Sequence, residues 1–148
     1  MNTKIFLIII CLMVCTFGFA FSEGDSDKFA GDVLNNFKNN EYEPLYAKMS
    51  SEAKKVMPYN QMVEFFKLEK EILGELTRYE KLDGMQQMIQ NRPVKTFRYA
   101  AYFTNTGAII VVTIIEESGK LTCQKLHVDS LIFSKPEVQK RFEALSFN

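Results

Sequence analysis

The chain has 148 residues, and its 18 basic side chains balance its 18 acidic ones. A neutral chain without a basic cluster argues against nucleic acid or an anionic membrane as the main partner. Its cysteines and its single histidine do not have the spacing of a zinc site, and no dinucleotide or phosphate-binding motif is present, so we expect no metal and no cofactor.

Residues 1–20 have the features of a secretory signal peptide. Lys4 supplies a positive start, an apolar run follows, and Gly18 and Ala20 are small residues suited to cleavage after Ala20. An uncleaved membrane anchor is the alternative, but the run is shorter than the roughly 20 apolar residues that span a bilayer. We expect an exported protein, periplasmic or secreted, that is free of the membrane after cleavage and starts with a flexible leader over 21–26.

The cysteine content changes with that cleavage. Cys11 and Cys15 lie in the signal segment, so the mature chain keeps only Cys123 and can form no internal disulfide. A cysteine in an apolar strand is more often a small buried side chain than a nucleophile. An intermolecular disulfide is the other interpretation.

The first half of the folded domain, which we place at 27–133, is predicted to be helical. Ser26 is expected to cap a helix that begins at Asp27. A short helix with Pro44 in its first turn follows, and a further turn of helix is predicted over 51–57.

A longer helix is predicted over 61–73, with Asn60 as its cap and Gly74 after its end. At 100° per residue, one of its faces is apolar. That face consists of Met62, Phe65, Phe66, Ile72 and Leu73. Glu69 lies at its centre as the only charge, and because a carboxylate there loses hydration, we expect a raised pKa.

The second half is predicted to form antiparallel strands. A first strand over 76–82 ends at the turn signal Asp83-Gly84, and the residues after that signal are ambiguous. Strands are then predicted over 97–104, over 108–115 and over 121–132. The middle one is apolar on both faces, which is typical of a central strand. The last one should contain a bulge, because its apolar alternation changes phase.

The chain ends in a predicted helical extension over 134–148. Ser134 and Glu137 have the spacing of a capping box. The apolar stripe of this short helix would consist of Val138, Phe142 and Leu145.

The order of helices, a glycine and an antiparallel meander resembles the nuclear transport factor 2-like, or cystatin-like, cone fold. The residues that carry the resemblance are FAGDVLNNFKNNEYEPLY, then LGEL at 73–76, and then YAAYFTNTGAIIVV…GKLTCQKLHVDS. The chain is similar over 27–133 to small exported bacterial members of that superfamily, many of which have no assigned function. The tryptophans frequent in such proteins are absent here, and the terminal helix is an addition.

The resemblance implies an α+β fold in which a strongly curved antiparallel sheet wraps around a long helix and leaves a conical cavity. Family members use that cavity as an enzyme site, a ligand pocket or simply a core, so the fold does not settle the function. Phe97, Tyr99 and Phe103 share one strand face, which we place toward the cavity and opposite Glu69. These four residues are the candidate ligand-binding residues.

Glu69 is also the candidate catalytic residue. The resemblance makes it a plausible proton acceptor, as acidic groups are in the isomerase branch of the superfamily, with the Tyr99 hydroxyl as a donor. The alternative is that Glu69 lies at the mouth of the cone or pairs with an arginine such as Arg78 or Arg98. For Tyr99 the alternative is ordinary core packing with its hydroxyl satisfied at the rim.

His127 is expected on the outer, polar face of the last strand, where it aligns with Lys125 and Asp129. Cys123 shares that face only if the strand has no bulge. A catalytic cysteine–histidine pair is therefore not favoured.

The central strand predicts an apolar surface that the helices do not cover. Val112 and Ile114 point to one side of the sheet, and Val111, Thr113 and Ile115 point to the other. A monomer rarely exposes such a patch. Either the terminal helix covers it, or a second subunit does, as a homodimer through the sheet face.

Few polar groups converge on the predicted cavity, so the leading interpretation is a non-enzymatic module that binds a small apolar ligand or another protein. A small isomerase or dehydratase that uses Glu69 and Tyr99 is the first alternative. A structural accessory subunit that binds through its sheet face or terminal helix is the second.

Overall fold

The computed structural model describes residues 21–145, so the predicted signal peptide and the last residues of the extension lie outside the described part. The helices are α1 (Glu23–Lys38), α2 (Tyr42–Lys48), α3 (Ser51–Val56), α4 (Tyr59–Leu73) and α5 (Pro136–Glu143), with a 3₁₀ turn at Leu131–Ser134. The strands are β1 (Leu76–Ile89), β2 (Arg92–Phe103), β3 (Gly107–Glu117) and β4 (Lys120–Asp129). They form one antiparallel sheet in chain order, and the α+β class is confirmed.

Helix α1 begins at Glu23, so the predicted start at Asp27 is wrong. The cap is Ser22, whose Oγ accepts a hydrogen bond of 3.1 Å from the Asp25 amide while the Asp25 carboxylate accepts one of 3.1 Å from the Ser22 amide. This reciprocal pair satisfies donors that a first turn leaves open. Ser26, the predicted cap, is instead fully buried inside the helix. Most of the predicted leader is therefore the first turn of α1.

Two other predicted caps are also wrong. Helix α4 starts at Tyr59 after Pro58, without a side-chain cap, so Asn60 lies inside the helix. Ser134 does not cap α5, because its hydroxyl donates to the Leu131 carbonyl at 2.7 Å. Pro136 occupies the first turn of α5 instead, where its missing N–H costs nothing.

Strand β1 runs without interruption through Asp83-Gly84, so the turn predicted there is wrong. The turn lies at Gln90-Asn91, where φ is 51° and 61°, the backbone that a two-residue hairpin requires. Gly84 serves a different purpose, since a Cβ atom on it would lie 2.7 Å from the ring of Phe97. The pairing of β1 with β2 shifts by one residue just before Gly84, between Lys81 and Asp83, without ending the strand.

Strand β3 lies between β2 and β4, as predicted for the central strand. The predicted bulge is also confirmed, because the pairing shifts where Thr113 faces Lys125 and Ile114 faces Cys123, which leaves Gln124 as the extra residue. β4 ends at Asp129, earlier than predicted, because the chain then enters the 3₁₀ turn.

The main core lies between the inner face of the sheet and the helices. Its buried members include Val33, Leu34, Phe37, Leu45, Met62, Phe66, Leu73, Phe97, Tyr99, Phe103, Ile110, Val112, Ile114, Cys123 and Val128. The inner face is set by the alternation in β2 and β3, since register partners such as Phe97 and Val112 point to the same side. No helix within the described 21–145 is long and apolar enough to cross a membrane.

Helix α5 packs on a second face of α4. Val138 forms a small cluster with Leu68 and Ile72, and the ring of Phe142 lies 5.3 Å from that of Phe65. Glu71 and Arg141 form an ion pair, with 2.7 Å between Glu71 Oε1 and Arg141 Nη2. The terminal helix therefore packs on α4 and not on the outer face of the sheet.

The link between α4 and β1 offers a direct test of the fold. Gly74 has φ 85°, and a Cβ atom on it would lie 1.8 Å from Thr104 Oγ1. We expect Gly74→Ala to lower the free energy of unfolding by about 2 kcal/mol or more, since both the backbone and the contact are incompatible with alanine.

Gly31→Ala is the matched control, because no atom lies within 4 Å of its added Cβ in α1. Alanine there should be neutral or stabilise by up to about 1 kcal/mol. Urea unfolding of both variants measures the difference, and equal losses would contradict it.

Candidate functional site

The three aromatic residues predicted to face a cavity are brought together on one face of β2. Phe97, Tyr99 and Phe103 are all buried in the main core. The Tyr99 ring lies 5.7 Å from that of Tyr79 in an edge-to-face contact. Burial, with a smaller contribution from the Asp27 charge, raises the pKa of Tyr99 above its ordinary value. These rings fill space in the described structure, and a ligand-binding role for them stays a prediction.

Glu69 lies where the helical pattern placed it, buried in α4 with 2 % of its surface exposed. Its Oε2 atom has no hydrogen-bond partner within the described part of the chain. Burial raises the pKa of this carboxyl to about 8, so it is largely protonated at neutral pH. A neutral acid is far less costly to bury than an ion.

The proposed ion pair of Glu69 with an arginine is wrong. Arg98 forms a bidentate pair with Asp83, and its Nε lies 2.9 Å from Asp83 Oδ1. Arg78 lies 3.6 Å from Glu80 on the exposed edge strand. Both arginines project from the sheet face that points away from the helices, which is why neither reaches the buried carboxyl.

Glu69 and Tyr99 have different neighbours. Burial raises the pKa of Tyr42, with smaller contributions from the charges of Glu75 and Glu69. Burial also raises the pKa of Tyr99, but there the smaller contributions come from Asp27 and Tyr79. None of the three cavities described for residues 21–145 is lined by Glu69 or Tyr99. Phe97 lines one of them, a space of about 220 Å³ beside Gly84 and Lys95.

Cys123 and His127 do not form a catalytic pair. Cys123 is fully buried on the inner face opposite Ile114, and burial raises its pKa to about 12, so it remains a thiol. His127 is exposed and pairs with outward-pointing Val111, as predicted for the outer face. The bulge at Gln124 places the two residues on opposite faces. No group of three metal-ligating side chains occurs among residues 21–145.

The largest of the three cavities lies at the free edge of β4, and we call it the β4 groove. Its volume is about 450 Å³. Its helical wall is formed by Tyr46, Met49, Glu52, Ala53, Val56, Met57, Met62, Phe65 and Phe66. Its other wall is β4 itself, over residues 124–127. The sequence did not predict this site, because its lining comes from the short helices, the residues that follow them, α4 and β4, which meet only in the fold.

Two serines position α3 beside the groove. The Ser50 side chain caps α3 by accepting from the Ala53 amide at 3.1 Å, while the Ser50 amide donates to the Cys123 carbonyl at 2.8 Å. At the next residue, the Ser51 amide donates to Glu117 Oε2 at 3.0 Å. The helix start is therefore tied to β3 and β4, and the groove opens where α3 leaves the strand.

The polar groups of the groove are few and mostly engaged. Glu52 accepts from Arg92 at 3.3 Å through one oxygen and from Gln124 at 3.3 Å through the other. The Lys54 ammonium lies 5.4 Å above the Tyr46 ring. The lining is mostly apolar, as is typical of small-molecule sites.

No family model, curated protein or solved structure matches this chain.

The buried carboxyl predicts a specific pH dependence of stability. The ordinary pKa of 4.5 applies to Glu69 in the unfolded chain, and the folded value is about 8. Between these values the folded state holds a proton that the unfolded state has lost, so stability falls as pH rises through the window from about 5 to about 8. Glu69→Gln removes this titration. We expect the stability of the wild type relative to Glu69→Gln to fall by up to roughly 1.4 kcal/mol per pH unit in that window.

Denaturant unfolding at several pH values measures this difference. Glu64→Gln is the control, because Glu64 is exposed on the same helix. Parallel pH profiles for the wild type and Glu69→Gln would show that Glu69 is not buried as a neutral acid.

Proposed function

We propose that the protein is an exported, non-enzymatic binding module whose ligand occupies the β4 groove. The observation that carries this proposal is an open space of about 450 Å³ with an almost wholly apolar helical wall. Small-molecule sites have volumes of about 300–1,000 Å³ and similar linings. The interior that the cone resemblance implies is less suited to a ligand, because its aromatic side chains are packed in the main core.

The absence of catalysis in this proposal rests on the lining of the groove. Its only carboxylate, Glu52, is held by Arg92 and Gln124. Lys125 and His127 contribute to the wall, but their register partners Thr113 and Val111 show that their side chains belong to the outer face. The surface offered to a ligand therefore consists mainly of apolar side chains.

The proposed family is the nuclear transport factor 2-like superfamily, as an exported member. Helices followed by a four-stranded antiparallel meander support it. In this proposal the added terminal helix stabilises α4, whose other face lies in the main core.

Exposed hydrophobic residues inside and outside the groove give a matched test of binding. Val56 lines the groove and is 82 % exposed, and Leu131 is 91 % exposed outside it. Aspartate at either position should cost little stability, since both side chains already lie in water. We expect Val56→Asp to weaken the binding of a neutral apolar dye such as Nile red at least tenfold, and Leu131→Asp to leave it unchanged. Fluorescence titration measures both, and equal affinities would remove the groove as the site.

A small isomerase or dehydratase is the alternative, with Glu69 as base and Tyr99 as donor. The unpartnered Oε2 of the buried Glu69 carboxyl favours it. The alternative requires both groups to open onto one cavity. A ligand-bound structure that places the ligand in the β4 groove and leaves Glu69 enclosed would remove it.

A structural role through self-association is a further candidate. Ile109, Val111 and Thr113 form a half-buried row on the outer face of β3, and α5 packs elsewhere. We propose that a second copy covers this row. Light scattering should then show a dimer for the wild type and a monomer for Val111→Glu, with Leu131→Asp as the control. A monomeric wild type at about 100 μM would exclude this role, since stable interfaces of standard size hold well below that concentration.

A further inference from the structure

We propose that the natural occupant of the β4 groove is an extended peptide segment that pairs with β4 as a fifth strand. This proposal rests on the function proposed above and names the class of ligand. The segment would carry apolar side chains at alternate positions, an acidic residue opposite Lys125 and a basic residue opposite Asp129.

The first step is the state of the strand edge. β4 is the last strand of the sheet, and its outer edge carries one isolated parallel bridge between Cys123 and Met49. The Ser50 amide donates to the Cys123 carbonyl at 2.8 Å in this bridge. The chain therefore starts a fifth strand and leaves it after a single residue, at the point where the groove opens. An edge of this kind is a template for an added strand.

The second step is the side-chain pattern of β4. Leu126 and Val128 point to the inner side, and Lys125, His127 and Asp129 point to the outer side. Side chains opposite each other in an antiparallel pair share a face. Residues of an added strand opposite Leu126 and Val128 would therefore turn toward the apolar wall of the groove, which includes Met57 and Phe65.

The third step concerns charge on the outer side. Lys125 and Asp129 are both exposed, and neither forms an ion pair with another residue of the described part. Opposite charges directly across a strand pair stabilise it, and like charges destabilise it. The order of the two charges therefore selects both the sequence and the direction of the added strand.

A second copy of the chain fits the charges but not the groove. An antiparallel pairing of two β4 strands centred on His127 would place Lys125 opposite Asp129. The inner residues of such a copy are Leu126 and Val128, which already pack in their own core, with Val128 only 1 % exposed. They cannot also fill the groove of the neighbour. A separate extended segment can satisfy both the strand edge and the apolar wall.

The test uses the mature protein labelled with ¹⁵N and a capped synthetic peptide. Its core, Lys-Val-Thr-Leu-Glu, is designed to pair antiparallel to β4, which places Lys opposite Asp129, Val and Leu opposite the two inner positions, and Glu opposite Lys125. We expect saturable binding that slows hydrogen exchange of amides within 124–129 and displaces Nile red. The charge-reversed peptide Glu-Val-Thr-Leu-Lys should bind at least about threefold more weakly.

A charge-swapped protein provides the matched control. The double variant Lys125→Glu, Asp129→Lys changes only exposed side chains, and it should prefer the charge-reversed peptide. Reversal of the preference supports a strand paired in the stated register and direction. Identical affinities of both proteins for both peptides would overturn that register.

The outcomes separate this proposal from the function on which it rests. If Nile red binds but the peptide neither displaces it nor protects amides within 124–129, the strand proposal is wrong and the groove remains an apolar site. If neither ligand binds, both proposals are wrong. If the same amides become protected with rising protein concentration and no peptide, the occupant is a second copy, and the peptide proposal is overturned.

Discussion

Two buried ammonium groups hold α1 in place, and the arrangement of the other elements depends on them. From α4, Lys70 donates to the Lys38 carbonyl at the C-terminal end of α1, at 3.0 Å. From β2, Lys95 donates to Ser26 Oγ at the N-terminal end, at 3.0 Å. Because a buried cation is costly unless its donors are satisfied, each lysine fixes one end of α1. These hydrogen bonds attach α1 to α4 at one end and to β2 at the other.

The same packing separates the core from the space available to a ligand. Phe97, Tyr99 and Phe103 fill the inner side of β2, and the largest of the three described cavities lies elsewhere, where the short helices pass the edge of β4. Glu69 lies on the enclosed side of this division. Burial raises the pKa of this carboxyl, whose Oε2 has no hydrogen-bond partner among residues 21–145. Perturbed pKa values are concentrated at functional sites, although structural groups also show them. The packed interior and the open groove thus favour binding at the sheet edge.

Local patterns in the sequence predicted much of the fold. Helical spacing predicted α4 and the burial of Glu69, and strand alternation predicted the inner face of β2 and the bulge in β4. The predictions were wrong where the same residue type occurs in different structural roles, such as glycine in a turn or inside a strand and serine at a helix cap or inside a helix. Gly84 was interpreted as a turn residue, but it makes room for the Phe97 ring, a contact that no local pattern shows. Ser22 rather than Ser26 caps α1, and Asp25 returns a hydrogen bond to it, while Ser26 lies buried inside the helix.

The sequence by itself determined the class of the fold, the order of its elements and the faces that become buried, because these follow from the periodicity of apolar residues along the chain. Only the tertiary structure decided where a ligand could bind. The β4 groove joins Met57 and Phe65 to the backbone of 124–127, residues that are far apart in sequence. Likewise, only the fold could leave Glu69 Oε2 without a hydrogen-bond partner among residues 21–145, since Arg78 and Arg98 face away from it. Such features depend on which surfaces meet across the chain, and local spacing does not encode them.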